Sequence, residues 1–379
     1  GVVLDESSRL KTGGGKQKWA IIKSCRGVEY KLSETATPAP NELMEFASQA
    51  SFLVKMRAAS TLQDAAQQII WTYFTRDPKT HRWTIKRHAR AAFFEWMCSW
   101  SIYVRDPRRY GWRKDIAVPP PPDLIQHTIP TTEAQRGLVM EINADPNMVP
   151  ELKVGSMFAE ELNAIAANRL SQAAKGFQYV KGAKRTIRTV DSLKPRYVAD
   201  LIAGEAADGK GRGLQVLVWT VYNEETEILG RLLSNSPFTV EIITGKTSDD
   251  DRAAILERFR TGETRVLISR ASMLGYGKNL QHVGSMVFNG WTFSFEAFYQ
   301  AVRRAYRHGQ TRRVRVHVPV IRELEGQMWD AITRKQQQHE EAVTEMEGNY
   351  IRALGLSPVP IPQPQPPTPM AVEAGKNAA

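Results

Sequence analysis

Two groups of residues in this chain have the types and the spacing needed to act on a phosphate group. The first is Gln300, Arg304 and Arg307, at positions i, i+4 and i+7, which share one face if residues 298–310 are helical. Arginine suits phosphate because its planar guanidinium binds two oxygens at once and stays charged when water is removed. A solvated basic helix face is the alternative interpretation of the same pattern.

The second group is the acidic pair Asp5 and Glu6, which follows the apolar run at residues 2–4. A buried strand that ends in Asp-Glu is the Walker B arrangement. In it the aspartate holds Mg²⁺, usually through water, and the glutamate polarises the water that attacks the terminal phosphate. An acidic pair after three aliphatic residues also arises by chance, so the pair needs support from the rest of the chain.

A glycine-rich stretch at residues 11–16 is similar to a phosphate-binding loop only in composition. The G-x-x-x-x-G-K-[ST] spacing is absent from it, and such a loop precedes the Asp-Glu strand rather than following it. We interpret this stretch as a flexible loop.

The composition favours a polyanionic partner. The 379 residues carry a formal net charge of +11, which points to nucleic acid first and to an anionic membrane surface second. No run of about 18 apolar residues occurs, so no membrane span is predicted. Cys25 and Cys98 form no CxxC pattern, which indicates neither a disulfide framework nor a zinc site. We expect a cytoplasmic protein.

Alternating strand and helix patterns between about residues 190 and 320 supply a scaffold for these groups. Apolar strands that alternate with amphipathic helices predict an α/β fold with a parallel sheet covered on both faces. Ligands of such sheets bind at the carboxyl ends of the strands, where Ser269, Arg270 and residues 289–291 fall. The predicted strands are 216–218, 240–243, 266–268, 286–288 and 314–318.

The segment 56–185 is rich in aromatic and cationic residues. Such a mixture either stacks on bases and neutralises phosphates or forms a helical core with a charged surface. We interpret the cations, Arg87 and Arg90 among them, as candidate contacts to a nucleic-acid backbone. The aromatic residues that we assign to a core are Phe93, Phe94, Trp96 and Trp100.

The order of these pieces resembles that in superfamily-two helicase-like ATPases, and in the Snf-type DNA translocases in particular. The similarity starts with Asp5-Glu6 and the sequence Thr-Ala-Thr-Pro-Ala-Pro-Asn at residues 35–41, and it ends with Arg-x-x-Arg-x-Gly-Gln at 304–310. Similar segments between them are 215–220, 242–247, 265–271 and 285–291. The long insertion suggests a phage- or mobile-element-like member, and we expect a chain truncated before its Walker A motif.

The resemblance implies two RecA-like lobes with ATP and Mg²⁺ bound between them. Asp5 would hold the metal, Glu6 would orient the attacking water, and Arg304 and Arg307 would reach the phosphates, with Arg307 as the arginine finger. The further residues implied at the nucleotide are Gln300, Gly275 and Asn279. The residues implied as relays or contacts to nucleic acid are Thr35, Thr37, Thr247, Ser269 and Arg270.

The resemblance also divides the chain by function. Residues 1–55 would be the end of the first RecA-like lobe, 56–185 a helical insertion and linker, 186–320 the second lobe, 321–355 a brace helix, and 356–379 a disordered Pro-rich tail. The implied activity is that of a nucleic-acid-dependent ATPase that acts as a DNA translocase or helicase, with RNA left open as a partner. The alternative is a nucleic-acid-binding module without ATP turnover.

Overall fold

The structure, a computed structural model, divides into two compact units. The smaller unit comprises Gly1–Ile116 and Thr333–Ile361, and the larger unit comprises Ala117–Ile332 and Pro362–Ala379. The residues that the structure describes are 1–11, 16–36, 43–53, 62–78, 83–104, 106–110, 119–144, 157–180, 186–207, 214–274, 279–356 and 368–371.

The smaller unit is built from short strands and helices. Its elements are β1 (Val2–Leu4), α1 (Lys16–Ser24), β2 (Lys31–Ser33), α2 (Phe46–Leu53), α3 (Leu62–Tyr73), β3 (Phe74–Arg76), β4 (Trp83–Ile85) and α4 (Arg90–Cys98). Four 3-10 helices add Ser7–Lys11, Leu43–Glu45, Arg87–Ala89 and Pro107–Tyr110. β1 and β2 pair in parallel, and β3 and β4 pair in antiparallel fashion.

The parallel pair β1–β2 packs one face on the helices. Val2 and Leu4 lie against a buried cluster formed by Leu10, Ile22 and Phe52. Successive side chains of a strand point to opposite faces, so Val3 on the other face is 62% exposed. Because the strands run in parallel with Leu4 beside Ser33, their carboxyl ends lie next to each other.

An aromatic core occupies the rest of the smaller unit. The ring of Phe93 meets those of Tyr73, Phe74 and Phe94 edge-on, with centroids 5.3–5.4 Å apart. Edge-to-face packing of this kind adds to the stabilisation that comes from burial alone. The predicted core role is confirmed for Phe93 and Phe94, which are fully buried, and the partly buried Trp96 and Trp100 pack against the same cluster.

The larger unit is organised around one parallel sheet. Its elements are β5 (Asp123–Thr128), α5 (Glu133–Ala144), α6 (Met157–Ala174), β6 (Phe177–Val180), β7 (Thr186–Thr189), α7 (Lys194–Ala207), β8 (Val216–Thr220), α8 (Asn223–Leu232), β9 (Val240–Ile243), α9 (Asp249–Thr261), β10 (Val266–Arg270), β11 (Ser285–Phe288), α10 (Phe295–Arg303), β12 (Arg315–Val320), the start of α11 (Arg322–Ala353) and β13 (Thr368–Ala371). The seven strands follow the order β13-β5-β12-β11-β8-β10-β9, and every neighbouring pair is parallel. β6 and β7 form a separate antiparallel pair.

The centre of this sheet is apolar on both faces, as a sheet covered by helices on both sides requires. Every residue of β8 and of β11 is buried. The five apolar runs predicted as strands correspond to β8, β9, β10, β11 and β12. The predicted α/β class with a parallel-sheet lobe is therefore confirmed.

The sheet extends further along the chain than the sequence patterns suggest. β5 lies beside β12, within residues 56–185, which the sequence assigns to a helical insertion and linker. Of the tail that the sequence predicts to be disordered, residues 368–371 form β13, whereas 357–367 and 372–379 lie outside the described residues. The division of the chain by function stays a prediction.

In the part of the chain that the structure describes, none of the helices combines the length and the apolar character that crossing a membrane requires.

Candidate functional site

The acidic pair lies at the carboxyl end of β1. The carboxylate of Asp5 accepts a hydrogen bond of 2.8 Å from the backbone N–H of Glu6. Glu6 itself has a φ of +51°, and no other non-glycine residue among the described ones has a positive φ. Such a backbone costs energy and persists only where its surroundings hold it, which is common at functional sites.

A buried glutamine connects the acidic loop to the loop after β2. The amide of Gln49 donates to the carbonyl of Ser7 at 2.8 Å and accepts from the hydroxyl of Ser33 at 2.5 Å. The backbone N–H of Ser7 also donates to the carbonyl of Glu34 at 3.0 Å. The structure thus places the acidic loop beside Ser33 and Glu34, which directly precede Thr35, while Thr37 lies outside the described residues.

The arginine-bearing helix is shorter than the spacing predicts. α10 begins after Ser294, whose hydroxyl accepts from the N–H of Ala297 at 3.2 Å, and it ends at Arg303. The prediction that Gln300, Arg304 and Arg307 share one helical face is wrong for Arg307, because the chain has left the helix before that residue.

Contacts of the following turn explain this ending. The amide of Gln310 donates to the carbonyls of Gln281 and Val283 at 2.7 and 3.0 Å, which anchors the end of the turn. Gly309 takes a φ of +90°, and a Cβ at that position would come within 2.8 Å of the Gln281 side chain. The carbonyl of Arg304 accepts from the N–H of Leu280 at 3.0 Å.

The candidate residues on this helix and turn differ in exposure. Gln300 and Arg304 are half-buried, and Arg307 is exposed. Arg303 is held by aromatic neighbours: its Nε donates to the hydroxyl of Tyr299 at 3.0 Å, and its guanidinium lies 4.7 Å from the ring centroid of Tyr306. Arg307 is therefore better placed than Arg303 to meet a ligand from solvent.

The carboxyl ends of β9 and β10 bring two further candidates close together. Thr247 closes a turn, since its hydroxyl accepts from the N–H of Thr244 at 3.0 Å. Arg270 lies alongside this turn, with its Nη2 at 3.6 Å from where a Cβ on Gly245 would be. Ser269 is fully buried and turns its hydroxyl to the carbonyl of Ile243 at 3.3 Å.

The last nucleotide candidates, Gly275 and Asn279, precede β11 in the sequence. Asn279 is exposed, and its amide donates to the side chain of Gln281 at 3.2 Å. Gly275 lies outside the described residues.

The two cations of the smaller unit differ in their partners. Arg90 pairs with Glu345 of α11 at 2.5 Å, and its guanidinium lies 5.5 Å from the ring centroid of Phe94. Arg87 is exposed on the adjoining 3-10 helix. A phosphate would have to compete with Glu345 for Arg90 but not for Arg87.

Sequence reasoning missed a buried network of charged side chains in the larger unit. Glu325, in the first turn of α11, accepts from the ammonium groups of Lys175 and Lys194, each at 2.6 Å. All three side chains are at most 1% exposed. Lys175 also donates to the hydroxyl of Ser171 at 2.8 Å.

A second buried carboxylate, Glu225 of α8, holds the loop after β11. It accepts from the backbone N–H of Tyr222 at 3.0 Å and from the amide of Asn289 at 2.9 Å. A Cβ on Gly290 would come within 2.6 Å of this carboxylate and 3.1 Å of Lys175, so the loop requires glycine there.

Burial and neighbouring charge oppose each other in this network. Burial lowers the pKa of Lys194 to about 8, against the attraction of Glu325. Burial also opposes charge on Lys175, but Glu325 and Glu225 outweigh it and raise its pKa. Burial likewise disfavours ionised Glu325, yet the two lysines outweigh it and hold its pKa below the ordinary value.

The sequence gives little indication of this network. Its members come from α7, α8, α11 and the residue after α6, and no local spacing relates them. Only Glu225 carries a short-range signal, as a glutamate that reaches back to the start of its own helix.

The acidic pair suits a magnesium nucleotide. Asp5 presents an exposed carboxylate at the end of a parallel strand, and carboxylate oxygens are ligands that Mg²⁺ prefers. Exposed guanidinium groups such as that of Arg307 suit phosphate oxygens.

Comparison with known proteins finds a family model that matches part of the larger unit. Residues 194–309 match the model of the helicase conserved C-terminal domain. ATP-dependent RNA helicase DBP3 of Meyerozyma guilliermondii is 25% identical over 191 residues, which are 49% of this chain and 33% of that protein. Helicase SWR1 of Cryptococcus neoformans var. neoformans serotype D is 28% identical over 177 residues, which are 41% of this chain and 14% of that protein.

Two solved structures are similar to parts of the chain. The C-terminal part of the Fun30 ATPase domain covers 63% of this chain and 99% of its own length, at 13% identity and a TM-score of 0.45. The C-terminal domain of the DEAD-box protein Dbp5 covers 37% of this chain and 77% of its own length, at 18% identity and a TM-score of 0.31.

The matched segment coincides with most of the candidate residues. The chain spans a third or less of the length of the two curated relatives. The match at 194–309 contains Thr247, Ser269 and Arg270 as well as the turn that carries Arg304 and Arg307. This stretch of the larger unit therefore carries the sequence pattern of a helicase conserved C-terminal domain.

Proposed function

We propose that this protein is a nucleic-acid-dependent ATPase that acts as a DNA translocase or helicase of the Snf type. The observation that carries the proposal is the match of residues 194–309 to the helicase conserved C-terminal domain. That segment includes every candidate site residue of the larger unit. One of the curated relatives is named an ATP-dependent helicase, which agrees with ATP as the energy source.

The acidic pair and the arginines would each have a role in ATP hydrolysis. Asp5 would hold Mg²⁺, and Glu6, in its constrained backbone conformation, would orient the attacking water. Arg304 and Arg307 would neutralise the charge that builds on the transferring phosphoryl group. Bound ATP and Mg²⁺ supply the phosphoryl group and the electrophilic activation that this chemistry requires.

Contacts to nucleic acid would be contacts to its backbone. Arg270 and Thr247 lie at the carboxyl edge of the sheet, and Arg87 is an exposed cation of the smaller unit. Phosphate contacts position a duplex but carry little sequence information, so we expect low sequence specificity. The hydrogen bond from the backbone N–H of Ser7 to the carbonyl of Glu34, the residue before Thr35, supports a relay between hydrolysis and nucleic-acid contact.

A binding module without ATP turnover is the second candidate. It is favoured by one sequence observation, the net charge of +11 together with the cationic residues of segment 56–185, which suit a nucleic-acid backbone and require no hydrolysis. The coding sequence upstream of the Gly1 codon separates the candidates cheaply. A Gly-Lys-Thr/Ser loop there supports the motor.

Hydrolysis of ATP with and without double-stranded DNA tests the proposal directly. We expect Arg307→Ala to lower kcat by about 10³-fold, the range known for arginine fingers. We expect Glu6→Gln to lower it by about 10²-fold or more, since general-base roles contribute that much.

Matched controls exist in both units. Arg196 is exposed on α7 and Glu29 is exposed before β2, so Arg196→Ala and Glu29→Gln should leave kcat unchanged. If Arg307→Ala and Glu6→Gln also leave it unchanged, the assigned roles are wrong. DNA binding without DNA-stimulated hydrolysis by the unaltered protein would favour the binding module.

A further inference from the structure

The loop at residues 289–291 is held by charged groups from elements that are distant in sequence. Its backbone N–H groups at Asn289 and Gly290 donate to the carbonyl of Trp219 at 3.0 and 3.2 Å. Its side chains contact Glu225 on one side and the lysine pair on the other. This loop leads directly into α10.

Of the two lysines, Lys194 places its ammonium closer to the ring of Trp291. Its ammonium lies 4.8 Å from the ring centroid of Trp291, within the range of a cation–π contact, while that of Lys175 lies at 5.8 Å. Glu325 fixes Lys194 in this place through the 2.6 Å ion pair. Trp291 is buried and packs edge-on against Trp329 of α11, with centroids 5.8 Å apart.

The network buries charged groups where an apolar core could have formed. Removing charged groups from water is expensive, and buried ion pairs are often less stable than hydrophobic replacements. Charged contacts instead fix the orientation of the groups that they join, because hydrogen bonds and cation–π contacts require a defined geometry. In this network they fix the orientation of the 289–291 loop.

The position of the loop sets the start of α10. Only residues 292–294 separate Trp291 from the helix, and Ser294 caps its first turn. Gln300 and Arg304 follow within that helix and its end. A shift of the loop would therefore move the residues that the proposed function places at the nucleotide.

We propose that Lys194, held by Glu325, is a positioning residue that fixes the 289–291 loop and, through it, helix α10 for the arginine-dependent step. This inference rests on the proposed function. Lys194 touches neither the nucleotide nor the reacting atoms in this role. Its effect on hydrolysis is transmitted by Trp291.

Three variants isolate the role of Lys194. Lys194→Met removes the charge and keeps much of the side-chain length, and Lys194→Arg keeps a cation against Trp291. Arg196→Met is the matched control, because it removes a cation from the same helix at an exposed position. Amide hydrogen exchange of residues 289–303 and of β8, β9 and β10 is measured in each, together with kcat and KM for ATP hydrolysis.

We expect Lys194→Met to speed exchange in residues 289–303 by about tenfold or more and to leave the strands within about twofold of the unaltered protein. In the same variant kcat should fall by about tenfold while KM for ATP stays within about threefold, because a transition-state contact is lost and ground-state binding is not. Lys194→Arg should recover most of both effects, and Arg196→Met should show neither.

Other results would overturn the inference. Unchanged exchange in residues 289–303, or equal loss of protection throughout the larger unit, would reduce Lys194 to a general structural role. If Lys194→Met does not fold, the double variant Lys194→Met with Glu325→Gln leaves no excess buried charge and must show the same local exchange pattern. Absence of ATP hydrolysis in the unaltered protein would instead refute the proposed function. The exchange results would still show whether Lys194 fixes the 289–291 loop.

Discussion

A chain of hydrogen bonds through His127 shows how burial at a single residue creates pH dependence. Its ring nitrogens contact the hydroxyl of Tyr197 at 2.8 Å and the ring of His317 at 2.9 Å. His317 lies 3.5 Å from the carboxylate of Glu205, which also pairs with Arg315. Burial first, and then His317, lower the pKa of His127 to about 4, although Glu205 opposes this.

The lowered pKa of His127 predicts acid sensitivity of the larger unit. The unfolded chain binds a proton at His127 near its ordinary pKa of about 6.5, while the folded chain resists protonation until about pH 4. The free energy of unfolding should therefore fall as the pH drops from about 6.5 to 4, by at most about 3 kcal/mol from this residue.

Urea denaturation at several pH values checks this prediction. His127→Gln cannot be protonated and should show a smaller slope than the unaltered chain in that window, whatever its stability at neutral pH. His88 is exposed, so His88→Gln serves as the control and should keep the slope. Equal slopes in the His127 variant and the unaltered chain would contradict the prediction.

At the scale of elements, helix α11 is fixed in the smaller unit by ion pairs. Glu347 is fully buried and pairs with Arg109, and Glu345 pairs with Arg90. Losing one partner of a buried pair leaves the other charge uncompensated, which costs about 3 kcal/mol or more. We expect Glu347→Gln to lower the free energy of unfolding of the smaller unit by roughly that amount.

Thermal or urea unfolding of the variant tests this role of α11. Glu341 is exposed on the same helix, so Glu341→Gln should change the free energy of unfolding by less than about 0.5 kcal/mol. A Glu347 variant as stable as the Glu341 variant would show that the pair with Arg109 adds nothing.

The elements that the sequence predicts are those with strong local patterns. β8 to β12 are short runs of aliphatic residues, and their apolar character on both faces favours buried parallel strands before any partner is known. β5 escaped prediction because Asp123–Thr128 is only partly apolar, and its strand character depends on pairing with β12, which lies far along the chain. The end of α10 at Arg303 was not predicted, because it depends on contacts of Gln310, which lies beyond the helix.

In the candidate site, too, residues with a local sequence pattern could be predicted and residues joined by long-range contacts could not. Asp5 and Glu6 are adjacent in sequence, and Arg304 and Arg307 lie on one short stretch, so residue type and spacing identify each group. The Lys175–Glu325–Lys194 network has members up to 150 residues apart and becomes visible only when the fold joins them. Long-range ion pairs of this kind leave no periodic signal in the sequence.

For the whole molecule, the net charge of +11 predicts a strong dependence of nucleic-acid binding on salt. Each phosphate neutralised by a cation releases a condensed counterion, so log K falls by about 0.9 per contact for each unit of log salt. With four or more such contacts, affinity for duplex DNA should fall about tenfold for each doubling of salt. Fluorescence anisotropy with labelled duplexes of unrelated sequence measures this, and the duplexes should bind alike.

The salt dependence of binding can test the individual phosphate contacts proposed for two arginines of the smaller unit. Arg87 is exposed, whereas Arg90 is already paired with Glu345, so the proposed phosphate contact is stronger for Arg87. Arg87→Ala should reduce the slope of log K against log salt by about 0.9, and Arg90→Ala should reduce it by much less. Equal effects of both substitutions would mean that phosphate displaces Glu345 from Arg90. An unchanged slope in both variants would remove this part of the smaller unit from the nucleic-acid interface.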